Sequence, residues 1–286
     1  MQRTILYVEG TLDAELLFLL FDGTPLVLSA GSKNALAPVV FREREKTNLQ
    51  HRVFYLRDRD FDYDPPADFP DIPQEDRKDN SGRVLGWRWC RHEMENYLLD
   101  PVLACASLGM DAPTYERFLL SSAERILYYE ASRWALGKAR RSLPPSYEFR
   151  TRPDSIPPRV EFYLPEDLSE EMQRGWMIEQ TNTFSGRIFE ALDVTRIEED
   201  RKCYQKRLKK EGLNGTSGIL LWFSGKDLLK AMTQEQSCAR AWAGSPKCLR
   251  RCLLEEARKR KDILKDLFPE WEALSRCLSS EGGDRA

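Results

Sequence analysis

Four carboxylates in the first sixty residues are spaced as the ligands of a metal site would be. Glu9 and Asp13 follow one short apolar run, and Asp58 and Asp60 follow another. In an extended backbone, residues two apart leave the same face, so we expect Asp58 and Asp60 to point the same way. Converging carboxylates repel one another unless a hard cation lies among them, and oxygen-only ligation suits Mg²⁺ or Mn²⁺. The pattern predicts a site for one or two divalent cations.

The elements that must position these carboxylates form a small parallel sheet. Each apolar run has the composition of a strand that is buried on both faces, and Gly10 permits a tight turn into a helix. The spacing of apolar residues predicts three strands, over residues 4–8, 25–29 and 52–57, which alternate with two helices, over 12–21 and 33–46. Open α/β sheets bind ligands at the carboxyl ends of their strands. The predicted fold class is therefore α/β with a Rossmann-like core.

A strand ending in Glu-Gly-x-x-Asp, followed by a strand ending in Asp-x-Asp, resembles the Toprim domain. Two further stretches, Arg91–Leu99 and Ser224–Leu229, make the chain similar to the OLD-like (overcoming lysogenisation defect) nucleases. Among these it most resembles the stand-alone Toprim effectors of ATPase-linked, PARIS-type anti-phage defence. The resemblance covers residues 1–100 and returns near 218–231.

The resemblance implies a Mg²⁺-dependent or Mn²⁺-dependent endonuclease that acts on DNA or RNA, tRNA included. It implies that Glu9, Asp13, Asp58 and Asp60 hold one or two ions, and that Glu9, Asp58, Asp60 and Lys226 are catalytic. Two ions would activate water on one side of the phosphodiester and stabilise the leaving oxygen on the other. It also implies a role in anti-phage defence under the control of a partner ATPase.

Four more polar residues are candidates for the surroundings of the site. Asp62 either extends the ligand set or begins a solvated loop. Glu93, Glu95 and Asn96 lie near the site by resemblance, Glu95 being preferred to Glu93. The alternative is that Glu95 and Asn96 satisfy backbone groups beneath the site. Both interpretations remain open from the sequence.

Lys226 follows a run, Ile219–Phe223, that predicts a final buried strand. A lysine there could neutralise charge on the scissile phosphate in the transition state. The alternative is a solvated lysine at a helix start, which the helix dipole disfavours.

Two basic runs are candidates for contacts with nucleic-acid phosphates. The better one has little acidic compensation and comprises Arg201, Lys202, Lys206, Arg207, Lys209 and Lys210. The other is interleaved with acidic residues, which indicates a solvated helix face. It comprises Arg250, Arg251, Arg258, Lys259, Arg260 and Lys261.

The predicted organisation has three parts. Residues 1–100 form the first part of the core, 101–215 a mostly helical insertion, and 216–286 the last core strand with C-terminal helices. Within the first part we expect an exposed loop over 62–80 and a half-exposed strand over 84–90.

The composition of the chain argues against a secreted protein and against a membrane-spanning protein. The chain has 286 residues, a formal charge of −2 and seven cysteines, with no signal peptide and no run long enough for a bilayer. We expect a cytoplasmic protein that does not enter a membrane. Cys248 and Cys252 lack the partners of a zinc site, and Gly225-Lys226 is not a P-loop.

Other functions remain open. The chain could be a catalytically idle module that docks on an ATPase, or a hydrolase of small phosphoesters. The sequence permits a homodimer without requiring one, and it does not choose between DNA and RNA.

Overall fold

The computed structural model describes residues 3–21, 23–46, 51–67, 72–149, 169–234 and 245–280. Within these ranges five strands form one sheet, ordered β2-β1-β3-β5-β4. Three neighbouring pairs, β1–β2, β1–β3 and β3–β5, are parallel, and β4 is antiparallel to β5. The strands are β1 Thr4–Val8, β2 Leu26–Ser29, β3 Arg52–Arg57, β4 Gln74–Lys78 and β5 Val84–Arg88. Because β1 and β3 are parallel neighbours, their carboxyl ends lie side by side.

Helices make up most of the remaining described chain. Short 3₁₀ turns lie at Ser146–Glu148 and Lys261–Ile263, and a π-helical turn at Leu208–Gly212. The α-helices are α1 Thr11–Phe21, α2 Lys33–Lys46, α3 Glu95–Leu98, α4 Pro101–Leu108, α5 Ala112–Ser142, α6 Glu170–Ala191, α7 Val194–Arg207, α8 Gly215–Trp222, α9 Gly225–Met232, α10 Pro246–Lys259, α11 Leu264–Leu267 and α12 Pro269–Ser280. None of them is both long enough and apolar enough to cross a bilayer.

The chain divides into two compact units. The first comprises residues 1–130 and 206–286 and contains the sheet, and the second comprises 131–205. In the second unit Trp134 stacks on Tyr204 with ring centroids 5.7 Å apart. The predicted insertion over 101–215 is wider than this second unit, and the predicted domain limits stay a prediction.

The α/β class and the first five predicted elements are confirmed. Strands β1, β2 and β3 and helices α1 and α2 begin and end within one residue of their predicted limits. β3 shows the signal most clearly, because four of its six residues are buried and form a continuous apolar run. A close approach fixes β3 against β5, because a Cβ on Gly86 would lie 2.4 Å from the carbonyl oxygen of Tyr55.

The predicted last core strand is wrong. The run Ile219–Phe223 belongs to α8, Gly215–Trp222, and its last residue, Phe223, is the extended link to α9. The apolar run was read correctly as buried, since its residues are at most 8% exposed. A short buried run cannot be assigned to strand or helix by periodicity alone.

Two expectations about the neighbouring segment are also corrected. The predicted exposed loop over 62–80 contains β4, an edge strand whose sequence, Gln-Glu-Asp-Arg-Lys, carries no apolar signal. Residues 68–71 of the predicted loop lie outside the described ranges. The strand predicted as half exposed over 84–90 ends at Arg88, and four of the five residues of β5 are buried.

A buried aromatic cluster supports the segment that follows β5. Tyr97 lies 5.3 Å from both Phe268 and Trp271, and Trp89 lies 5.2 Å from Tyr97, measured between ring centroids. Glu270 on α12 accepts hydrogen bonds from the Cys90 backbone N–H, at 2.8 Å, and from the Tyr97 hydroxyl. The segment over 89–100 is therefore buried throughout, although little of it is regular structure.

Candidate metal centre

The two central strands bring Glu9 and Asp58 together. Glu9 is the first residue after β1 and Asp58 the first after β3, and the Asp58 backbone N–H donates to Glu9 Oε1 at 3.2 Å. Asp13 lies in the first turn of α1 and accepts a 2.8 Å hydrogen bond from the Gly10 backbone N–H. Glu9, Asp13 and Asp58 thus lie near the carboxyl ends of β1 and β3, as the sequence predicts. Among the described residues, however, no three of the four predicted carboxylates bring ligand atoms within 4.8 Å of one another.

Asp58 is the most confined of these carboxylates. It is 7% exposed, and its Oδ1 makes no hydrogen bond within the described part of the chain. Burial raises the pKa of Asp58 well above its ordinary value, and the negative charges of Asp13, Asp60 and Glu93 raise it further. An acceptor that is buried without a donor costs roughly 1–3 kcal/mol. The site therefore has an unmet requirement for positive charge.

Asp60 reaches the cluster through a turn and not through an extended strand, which corrects the sequence expectation. Strand β3 ends at Arg57, and Asp60 has a φ of 48° in the left-handed region. Its N–H donates to the His92 carbonyl at 2.9 Å. Asp is one of the few non-glycine residues that enter this region, at a cost of about 1–2 kcal/mol. Its charge contributes to the raised pKa of Asp58, so the two carboxylates lie near each other.

A histidine that was not among the predicted ligands also borders the site. One potential ligand atom from each of Asp60, His92 and Glu93 lies within 4.8 Å of the other two. His92 is 1% exposed and its ring packs edge-on against Phe61, with centroids 4.4 Å apart. The stretch from His92 to Asn96 lacks the second histidine of a zinc-protease motif, so local sequence indicates no ligand role for His92.

Lys33 lies between two of the carboxylates. Its Nζ contacts Asp60 Oδ2 at 2.8 Å and Asp62 Oδ2 at 2.7 Å. Arg57 also pairs with Asp62. The structure thus places Asp62 against two basic side chains at the edge of the site. Lys33 was missed in the sequence because a lysine at a helix start has no recognisable motif.

Glu93 and Lys226 form a close ion pair beside Asp60 and His92. Lys226 Nζ lies 2.5 Å from Glu93 Oε2, and the Lys226 backbone N–H donates to Glu93 Oε1 at 2.7 Å. The Ser224 hydroxyl donates to the same Oε1 at 2.8 Å. Burial alone would lower the pKa of Lys226, but the charges of Glu93, Glu95 and Asp58 raise it above its ordinary value. Lys226 is therefore a fixed, protonated cation although the strand predicted before it is a helix.

Glu95 is buried and lies between two cations. Its Oε2 is 3.5 Å from Lys226 Nζ and its Oε1 is 3.1 Å from a guanidinium nitrogen of Arg250. Arg250 belongs to the basic run that the sequence indicated as a solvated helix face. Arg250 lies on a helix and keeps 40% of its side chain exposed, as that interpretation expected, and it also contacts Glu95, 155 residues away in the chain.

Asn96 connects the Glu93–Glu95 segment to the junction of α8 and α9. Its amide nitrogen donates to the carbonyls of Leu220 and Phe223 at 2.9 and 2.8 Å. Its amide oxygen accepts from the N–H groups of Gly225 and Glu93 at 3.1 and 3.2 Å. These are the backbone contacts that the alternative interpretation of Asn96 expected.

Gly225 is required by this junction. A Cβ at this position would lie 2.8 Å from the Asn96 backbone nitrogen, closer than real Cβ contacts come. Buried Arg59 adds hydrogen bonds to the carbonyls of Cys90, at 3.0 Å, and Leu221. The junction before Lys226 is therefore tied to the strand end that carries Asp58 and Asp60.

The chemistry of the donor set fits a hard divalent cation. Glu9, Asp13, Asp58 and Asp60 supply carboxylate oxygens, which Mg²⁺ and Mn²⁺ prefer. Burial and the charge of Asp60 raise the pKa of Glu9 to about 7, and burial raises that of Asp13 to about 6. Raised values of this kind report carboxylates that lack enough compensating charge, which a bound cation would supply.

The predicted nucleic-acid-binding run makes local contacts of its own. In the second unit Arg201 pairs with Glu198 at 2.6 Å, and Lys202 lies 4.0 Å from the same glutamate. In the first unit Arg207 contacts Asp64 at 3.2 Å and lies over the Trp222 ring. Lys206, Lys209 and Lys210 are the other members of the run. The role of the six residues in binding nucleic acid stays a prediction.

Comparison with known proteins adds no relative to this account. No protein-family model matches the chain, and no curated protein matches it significantly. The interpretation below therefore depends on the geometry of the chain's own residues and on the resemblance stated above.

Proposed function

We propose that the chain is a divalent-metal-dependent nuclease that hydrolyses phosphodiester bonds in DNA or RNA. The observation that carries this proposal is the buried Asp58 oxygen, which has no hydrogen-bond donor in the described part of the chain and lies near Glu9, Asp13 and Asp60. Clusters with perturbed pKa values are candidates for functional sites on physical grounds.

In this proposal Glu9, Asp13, Asp58 and Asp60 hold one or two Mg²⁺ or Mn²⁺ ions. A bound cation would lower the pKa of a water molecule and neutralise charge on the phosphoryl oxygens. The chain's own contribution is to fix the ligands before substrate arrives. The Gly10 N–H orients Asp13, and the Asp58 N–H orients Glu9.

Lys226 is the proposed catalytic cation of the protein itself. Glu93 and the Ser224–Lys226 backbone hold its stem, while 57% of its side chain stays exposed to solvent. A cation fixed in this way can stabilise the negative charge that develops on the phosphate oxygens in the transition state. It needs no reorganisation during the reaction, because its partners are already in place.

Lys33 also helps to position the residues of the proposed site. Its contacts with Asp60 and Asp62 hold the turn after β3 in the conformation that faces Asp58. We assign it the role of a positioning residue.

The resemblance to OLD-like Toprim nucleases also suggests a biological role for the proposed activity. On that ground we propose that the chain is an OLD-like Toprim nuclease acting in anti-phage defence with a partner ATPase. The sheet order and the carboxylate positions support a Toprim-like core, and the partner remains a proposal from resemblance alone.

Cleavage assays test the proposed activity. Plasmid DNA and total tRNA would be incubated with Mg²⁺ or Mn²⁺ and with wild type, Glu9→Gln or Asp60→Asn. Glu45→Gln is the control, because Glu45 is an exposed carboxylate on α2. We expect cleavage by wild type and Glu45→Gln, and a loss of about 10²-fold or more in the two site variants. Equal cleavage by all four proteins would overturn the site assignment. Absence of metal binding together with absence of cleavage in wild type would favour the docking-module alternative.

A further inference from the structure

Arg250 contacts the candidate centre through buried Glu95 and is also partly exposed to solvent. Helix α10 carries it, and a guanidinium nitrogen lies 3.1 Å from Glu95 Oε1. Its side chain is 40% exposed, so it is anchored at the site and still open to solvent.

Arg250 and Lys226 share one buried carboxylate. Glu95 is 2% exposed and directs one oxygen to each cation, the Lys226 Nζ lying 3.5 Å from Oε2. The two cations are thus separated by a single carboxylate group, and both are partly exposed at the rim of the cluster. They are held by different helices, because Lys226 begins α9 and Arg250 lies on α10.

The chemistry of the two cations differs in a way that suits consecutive phosphates. A lysine acts as a compact point charge, whereas an arginine presents a planar fork that matches the oxygens of a phosphate. Both helices pack on α3, the short helix that begins at Glu95, so the spacing between the cations is set by packed elements.

From this arrangement we infer that Arg250 binds a second backbone phosphate of the nucleic acid, adjacent to the phosphate that Lys226 contacts. The inference rests on the proposed nuclease function and adds a subsite to it. Glu95 is then the positioning residue that orients both cations. The ligand class is a polynucleotide with at least two consecutive phosphodiesters.

A purely structural role for Arg250 would be to neutralise buried Glu95. The two roles make different predictions. If neutralisation is the whole role, removing both charges together should restore the wild-type KM and salt slope. The comparison uses KM and not kcat, because Glu95 also contacts the catalytic Lys226. If Arg250 binds phosphate, the double variant should remain as weak as the single one.

The test uses steady-state cleavage over a series of salt concentrations with wild type, Arg250→Gln and Arg250→Gln/Glu95→Gln. Arg251→Gln is the matched control, since Arg251 is the next residue and is exposed on the same helix. We expect Arg250→Gln to raise KM by about 10-fold with kcat changed by less than about 3-fold, and to reduce the salt slope of log KM by about 1. The double variant should keep the raised KM, and Arg251→Gln should match wild type.

The inference is overturned if Arg250→Gln and Arg251→Gln have the same KM and salt slope, or if the double variant recovers the wild-type KM. Either result leaves the nuclease function standing, because wild type still cleaves. Failure of the proposed function has a different signature, in which wild type itself does not cleave.

Discussion

At the residue scale, Asp58 is the strongest indication of a metal site, because its carboxylate is buried among other negative charges. A buried carboxylate among like charges normally destabilises the fold that contains it. Functional sites tolerate such a cost when ligand binding repays it, so stability and function should change in opposite directions at this position.

We predict that Asp58→Asn stabilises the metal-free protein. Because burial and neighbouring charges raise the Asp58 pKa, the folded state binds this proton more tightly than the unfolded state does. The free energy of unfolding attributable to Asp58 therefore falls as the pH rises above about 4, the ordinary value for an aspartate. In the asparagine variant the free energy of unfolding should exceed the wild-type value by about 1–3 kcal/mol at pH 8, with a smaller gain at pH 5.

Chemical denaturation in a metal chelator measures this effect. Asp262→Asn serves as the control, because Asp262 is an exposed aspartate outside the cluster. A variant that is less stable than wild type at pH 8 would show that Asp58 already has a compensating partner.

We predict that Lys226→Met lowers kcat while sparing metal binding. Glu93 would keep the hydrogen bonds from the Ser224 hydroxyl and the residue-226 backbone N–H, so the local fold should survive. Loss of the cation from the transition state should lower kcat by about 10²–10³-fold. Lys230→Met, an exposed position on the same helix, is the comparison. Equal kcat in the two variants would remove Lys226 from the catalytic assignment.

At the scale of elements, the sequence predicted the strands that present Glu9 and Asp58 and did not predict the junction that presents Lys226. Strands β1 and β3 follow from their apolar runs, and parallel pairing then brings their ends together. The strand expected at Ile219–Phe223 is helix α8, because a helix buried on most sides has the same composition as a buried strand.

Two basic residues of the site, Arg250 and Lys33, could not be predicted from local sequence patterns. Arg250 reaches Glu95 across 155 residues, and Lys33 reaches Asp60 across 27. Neither contact leaves a local pattern, since it depends on how helices pack and not on spacing along the chain. Similarly, β4 consists of polar residues only, and its pairing with β5 defines it.

The element-scale prediction concerns Asn96→Asp. The substitution keeps the size of the side chain but turns a donor to the carbonyls of Leu220 and Phe223 into an acceptor. A buried charge facing two carbonyls should lower the free energy of unfolding by about 3–5 kcal/mol. Asn214→Asp, an exposed asparagine before α8, should change it by less than about 0.5 kcal/mol. Thermal or urea unfolding measures the free energy of unfolding of the two variants. Equal stability would mean that Asn96 does not hold the junction of α8 and α9.

At the scale of the whole molecule, the site is assembled from distant parts of the first unit. The carboxylates come from the first hundred residues, whereas Lys226 and Arg250 come from helices that lie beyond the second unit in the chain.

Calorimetric titration of Mn²⁺ into the metal-free protein tests the central claim most directly. The account predicts saturable binding of one or two ions to wild type and to Asp262→Asn, and no binding to Asp58→Asn, which should be folded. Wild type that binds no Mn²⁺, or Asp58→Asn that binds it as wild type does, would contradict the claim that the buried carboxylates form a metal centre.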